Sequence, residues 1–155
     1  MKYLPNILIV DDSKVNLVIL ENVINNFEVN IIQALSGAEA LEKIQGIEIA
    51  LAIIDICMPK MDGYELALNI NKDRPDAKVP IIFVTAGQME EADVIKGYES
   101  GAVDYIFKPI SSRVLQSKIH VFLDLFNQRQ SIIKSWNDIT VFKEPEEDIE
   151  QWFNL

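Results

Sequence analysis

Residues 50–63 read ALAIIDICMPKMDG, and the reading of this stretch decides the fold. Ala50 to Ile54 is a short unbroken apolar run that meets an aspartate, Asp55, and then a Met-Pro and an Asp-Gly pair. An apolar run of this length without alternation suits a strand buried on both faces, as in a parallel sheet covered by helices. Such a strand has no wet face for a carboxylate, so Asp55 marks its carboxyl end. In open α/β sheets that edge is where ligands bind. A turn-capping aspartate looks the same in isolation, so the neighbouring segments carry the decision.

Upstream, residues 6–10 (NILIV) form a second buried-strand candidate that ends in Asp11-Asp12. Asp12 or Ser13 then caps a helix in which Val15, Val18, Ile19, Asn22, Val23 and Asn26 trace one face. Residues 29–34 are β-branched and short, hence a strand. In residues 36–45 (SGAEALEKIQ), Ser36 and Glu39 stand at capping-box spacing and Ala40, Leu41 and Ile44 face inward. Downstream of Asp55 the pattern predicts a helix over 62–73, a strand over 80–84 (PIIFV) ending at Thr85-Ala86, and a helix over 88–100 closed by Gly101. A fifth strand over 103–107 meets Lys108-Pro109, and Ser111 caps a last helix running past Phe126. Strand and helix alternate five times with short connections. That calls for a doubly wound, five-stranded parallel sheet with helices on both faces and right-handed crossovers.

Composition sets the outer bounds. The 155 residues suffice for one domain with a sizeable core; 49% are hydrophobic and 25% charged, a globular balance. A net charge of −10 argues against a direct nucleic-acid surface, which needs clustered Lys and Arg. Residues 137–155 hold six acids (Asp138, Glu144, Glu146, Glu147, Asp148, Glu150) against Lys143 alone. Cys57 is the only cysteine, so an intrachain disulfide is excluded and a reducing, cytoplasmic setting is expected. Neither a signal-peptide core nor a membrane-length apolar run is present.

The carboxyl ends of the predicted strands carry the chemistry: Asp11 and Asp12, then Asp55, Thr85 and Lys108. In the strand order 2-1-3-4-5 the first and third strands flank the topological switch point, which gathers the three carboxylates in one crevice. Carboxylates so placed repel one another unless a cation joins them, and an all-oxygen set points to Mg²⁺. A carboxylate beside Mg²⁺, a lysine and a hydroxyl is suited to attack phosphorus and become an aspartyl phosphate.

From about residue 2 to 126 the chain resembles a response-regulator receiver domain of the CheY-like family. The resemblance is carried by Asp11-Asp12, by DICMPKMDG around Asp55, by Thr85-Ala86, by GAVDYIFKP (101–109), and by the spacing between them. It implies the flavodoxin-like (CheY-like) fold, with Asp55 as phosphoacceptor. It also implies Asp12, Asp55 and the Cys57 carbonyl as Mg²⁺ ligands, with Asp11 acting mainly through water. Thr85 and Lys108 would hold the phosphoryl oxygens, small Ala86 would leave room beside them, and Tyr105 would be the aromatic that swings inward when Thr85 is recruited. A cis Lys108-Pro109 bond is expected as well. Cys57 and Gly87 occupy the two positions that tune hydrolysis in the family, and neither side chain can position water. The implied function is a phosphorylation switch in two-component signalling, fed by a sensor histidine kinase or a histidine phosphotransfer protein. Output would pass through the face around the fourth and fifth helices, and the chain would catalyse only its own phosphorylation and dephosphorylation.

Two other readings compete. A Mg²⁺-dependent phosphatase of the haloacid-dehalogenase type also uses an aspartate nucleophile, but wants a second acid two residues on, where Cys57 stands. A flavodoxin-like nucleotide binder wants a glycine-rich loop after the first strand, where Asp-Asp stands. His120 is the only histidine, lies mid-helix without an acidic neighbour, and is given no role. Residues 127–155 read as a helix extension and acidic tail, in which residues 145–153 could form a short helix. The chain is expected either to work alone through protein contacts or to be the receiver part of a longer signalling protein; the run from Lys108 to Ile132 resembles receivers that lead by a long helix into an output module, which favours the second. Val114, Val121, Leu125 and Ile132 lie beside the stripe of the last helix expected to face the sheet. That second apolar face predicts either a homodimer through this helix or a tail folded back over it.

Overall fold

The computed structural model describes residues 3–87 and 90–141; the helix expected over 145–153 lies outside them. Among the described residues five strands alternate with five helices: β1 (Asn6–Val10), α1 (Lys14–Ile24), β2 (Asn30–Ala34), α2 (Gly37–Lys43), β3 (Leu51–Asp55), α3 (Gly63–Lys72), β4 (Ile81–Thr85), α4 (Glu91–Glu99), β5 (Ala102–Phe107) and α5 (Ser112–Val141). All neighbouring strands are parallel and their order is β2-β1-β3-β4-β5, as the alternation predicted. Two compact units divide the chain, Met1–Leu123 and Asp124–Leu155. Among the described residues no helix is long and apolar enough to cross a membrane.

Burial follows the two-residue period of the strands. Leu8, Val10, Ala52, Ile54, Ile81 and Phe83 pack with Ala40 and Ile44 of α2 and with Tyr64, Leu66, Ala67 and Ile70 of α3. The alternate residues Ile7, Ile9, Leu51, Ile53 and Ile82 are equally buried, and so are Leu17, Leu20 and Ile24 of α1 and Leu115 and Ile119 of α5. Strands β3 and β4 are buried at every position, which is why they read as unbroken apolar runs.

Three local details differ from the sequence expectation. Helix α1 turns Leu17, Leu20, Val23 and Ile24 inward, whereas Val15, Val18 and Ile19 are exposed. Both faces are apolar; the Ser13 hydroxyl caps the helix by accepting from the Asn16 N–H, and the Ser13 N–H and the Asn16 amide tie its start to Asp11 at the end of β1. At α2 the Ser36 hydroxyl accepts from the Glu39 N–H, but the Glu39 carboxylate returns to the N–H of Leu35, one residue before the cap. Helix α4 starts at Glu91; residues 88 and 89, expected to begin it, lie outside the described residues. Gly101 does close it with φ +102°, a conformation open to glycine.

Candidate functional site

Register brings the acids together. Val10 pairs with Ile54 across the β1–β3 ladder, so the next residues, Asp11 and Asp55, leave the sheet side by side. One carboxylate oxygen from each of Asp11, Asp12 and Asp55 lies within 4.8 Å of the others. Asp11 and Asp55 are buried, at 1% and 5% exposure, while Asp12 is exposed.

Each buried acid is held by its own loop. The Asp11 N–H continues the ladder to the Ala34 carbonyl, which fixes the residue just past β1. Its Oδ1 accepts from the Ser13 N–H at 2.9 Å and from the Asn16 side-chain amide at 3.3 Å, leaving Oδ2 to face Lys108. Asp55 Oδ1 accepts from the Cys57 N–H at 3.3 Å. Behind it, the Gly63 N–H donates to the Ile56 carbonyl at 2.9 Å, and a Cβ at Gly63 would sit 2.6 Å from the Asp55 carbonyl oxygen. Gly63 is therefore packed against the back of the Asp55 peptide. Lys60 takes a left-handed φ of 67° to bring the loop round.

Lys108 approaches from β5. Its N–H donates to the Thr85 carbonyl at 2.8 Å, and its peptide bond to Pro109 is cis, as expected. The ammonium stands 3.7 Å from Asp11 Oδ2 and 3.9 Å from Asp55 Oδ1. One positive charge thus faces two of the three carboxylates. Burial pushes the Asp55 carboxyl above its usual range, the Asp11 charge adds to this, and Lys108 opposes it. Thr85 is buried at the end of β4, where its hydroxyl accepts from the Gly87 N–H at 3.5 Å.

Tyr105 lies in β5, three residues before Lys108. Its ring is part-buried, 5.6 Å from Phe83 and 5.9 Å from Tyr98 between centroids. Cys57 is exposed on the loop after β3. The donor set around the acids is all oxygen and carries excess negative charge, which fits a hard divalent cation and not a thiolate or imidazole metal. The sequence reading did not single out Asn16 and Ser13 as the groups that hold Asp11. Their signal was the cap at the start of α1, which lies within one helical turn of the acid.

The family model of the response regulator receiver domain matches residues 7–120. A Vibrio cholerae protein named as a probable cyclic di-GMP phosphodiesterase is 39% identical over 133 residues, covering 85% of this chain and 29% of that protein. The probable transcriptional regulator ycf27 of Cyanidium caldarium is 35% identical, covering 89% of this chain and 54% of the relative. The chain therefore spans about a third to a half of the length of these relatives. Among solved structures, a CheY-like receiver domain protein from Methanospirillum hungatei superposes with a TM-score of 0.73 at 32% identity, covering 82% of this chain and 99% of the other. The chain belongs to the response-regulator receiver family, the receiver domains of two-component signalling.

Proposed function

We propose that Asp55 is the phosphoacceptor, taking a phosphoryl group from the phosphohistidine of a sensor kinase or phosphotransfer protein in the cytoplasm. The observation that carries this is the buried Asp55 carboxylate, crowded by Asp11 and faced by Lys108 at 3.9 Å. A carboxylate oxygen of Asp55 forms the new bond to phosphorus as the P–N bond breaks, and the imidazole nitrogen keeps the bonding pair. Mg²⁺ bound by Asp12, Asp55 and the Cys57 carbonyl, with Asp11 acting through water, would supply neutralisation of the phosphoryl oxygens. Lys108 contributes a fixed positive charge on the opposite side, and the Thr85 hydroxyl donates to a phosphoryl oxygen once it turns from the Gly87 amide. Recruitment of Thr85 is what Tyr105 would sense, two strands' ends away from the nucleophile.

Acetyl phosphate with Mg²⁺ is the direct test. Mass spectrometry should show one added phosphoryl group on the native protein, and none on Asp55→Asn or with chelator present. Full labelling of Asp55→Asn would overturn the assignment. Turnover of p-nitrophenyl phosphate would instead favour an aspartate-nucleophile phosphatase, although the place of its second acid holds the exposed Cys57.

For output, the support lies in α5. Val114, Val121, Leu125, Ile132 and Ile139 are all about half exposed. A helix with that much outward apolar surface is suited to pair with a second copy of itself or with an output element.

A further inference from the structure

Tyr64, the second residue of α3, is not among the residues that the site reading uses, yet it meets Tyr105 at one atom. Tyr64 is 6% exposed, its ring set edge-on to Phe83 at 4.9 Å with the Lys96 ammonium 5.0 Å from its centroid. Its hydroxyl donates to the Asp93 carbonyl of α4 at 3.3 Å. The Tyr105 hydroxyl donates to the same carbonyl, also at 3.3 Å. A carbonyl oxygen has two lone pairs and can accept both. Burial pushes both phenols up, and a hydrogen bond between the two hydroxyls raises Tyr105 further while lowering Tyr64.

Space for this arrangement exists because residue 97 is glycine. A Cβ there would overlap the Tyr105 hydroxyl oxygen and lie 2.6 Å from Cζ. Glycine is a poor residue for a helix interior, and here it leaves the notch into which Tyr105 fits. Tyr64 in turn follows Gly63, whose backbone is packed against the Asp55 peptide. A path of contacts thus runs from the end of β3 through Gly63 and Tyr64, and by the Tyr64 hydrogen bond to α4. It is separate from the path through Thr85.

We propose that Tyr64 is a positioning residue of the switch, sharing the Asp93 carbonyl with Tyr105 over the Gly97 notch and holding Tyr105 docked on α4 before any phosphoryl group arrives. This rests on the reading of Tyr105 as the switch aromatic. Docking that is already populated leaves less for phosphorylation to shift, so Tyr64 sets the resting activity of the domain.

The test is ¹⁹F NMR of protein labelled with 3-fluorotyrosine, which has four tyrosines, the Tyr105 signal being assigned by its loss in Tyr105→Phe. Tyr64→Phe keeps the ring and removes one hydroxyl. The docked-to-undocked ratio of Tyr105 should fall about 2- to 12-fold, the worth of the hydrogen bond lost between the two hydroxyls, with a larger H₂O/D₂O isotope shift on its resonance. Gly97→Ala should undock Tyr105 in the native background. It should raise the melting temperature only when combined with Tyr105→Ala, where the notch is empty. A Tyr105 resonance unmoved by Tyr64→Phe would overturn the proposal. Beryllofluoride with Mg²⁺ separates the two readings. If it re-docks Tyr105 in Tyr64→Phe, both stand. If Tyr64→Phe moves Tyr105 and beryllofluoride moves it in no variant, the positioning role stands and the phosphorylation reading falls.

Discussion

Replacing Asp55 by asparagine should make the metal-free protein more stable, although it removes the proposed nucleophile. At an effective dielectric of about 20, Lys108 at 3.9 Å attracts the Asp55 charge by about 4 kcal/mol, and Asp11 within 4.8 Å repels it by about 3.5 kcal/mol. These nearly cancel. Exposed Asp12 adds about 1 kcal/mol of screened repulsion, and the loss of water around a carboxylate only 5% exposed is left over. Asparagine keeps an acceptor for the Cys57 N–H and drops the charge. The expected gain is about 2 kcal/mol at pH 7 in chelator, or roughly 4–8 °C in melting temperature for a domain of this size. The pH dependence gives the sign. A carboxyl whose folded pKa is raised binds its proton more tightly in the folded state, so its cost is present in full above the folded pKa. That cost fades as pH falls, and is gone below the unfolded value of about 3.8. Thermal unfolding followed by circular dichroism from pH 7 to pH 3 should therefore show the two melting curves converging. Mg²⁺ at 100 times its dissociation constant should return about 2.7 kcal/mol to the native protein and reverse the order. A variant less stable than the native protein at pH 7 in chelator, or a gap indifferent to pH, would refute the reasoning.

Three further outcomes are expected. Lys108→Ala should leave Mg²⁺ affinity unchanged or tighter by titration calorimetry, because a cation 3.7–3.9 Å from two of the acids opposes a second one; Asp12→Ala should weaken it. Gly63→Ala should lower stability by about 1–3 kcal/mol in urea unfolding, since its Cβ would meet the Asp55 carbonyl oxygen at 2.6 Å and the Ile56 Cα at 2.8 Å, both backbone atoms. Leu125→Glu with Ile132→Glu should convert a dimer to a folded monomer on light scattering; a native protein already monomeric at high concentration would remove the dimer from the account and favour a folded-back tail.

The strands and their ends were legible because parallel strands buried on both faces leave unbroken apolar runs, and a charge after such a run can only stand at its edge. Asp11, Asp55 and Lys108 met in space for that reason. Helix phase was less legible. Val15, Val18 and Ile19 form as good an apolar stripe as Leu17, Leu20 and Ile24, and spacing within the helix does not tell the two apart. Asn16 escaped notice because its amide reaches back to Asp11 across the cap, a contact that no periodicity reports. Gly97 and Tyr64 escaped for a different reason. Their meeting with Tyr105 joins three elements, α3, α4 and β5, and residue spacing within one element carries no trace of it.

The parallel ladder gives the molecule two unequal rims. All five strands deliver their last residues to the rim that holds the acids, where a shift of one position would turn a carboxylate away from its partners. At the other rim the chain only returns to begin the next strand, and residues 75–78, between α3 and β4, are exposed there. Added chain is absorbed at that rim as loop length, at a cost that grows slowly with the number of residues. A reporter peptide grafted between Asp76 and Ala77 would ride on the receiver without disturbing the acids, whereas the same graft between Cys57 and Met58 would dismantle them.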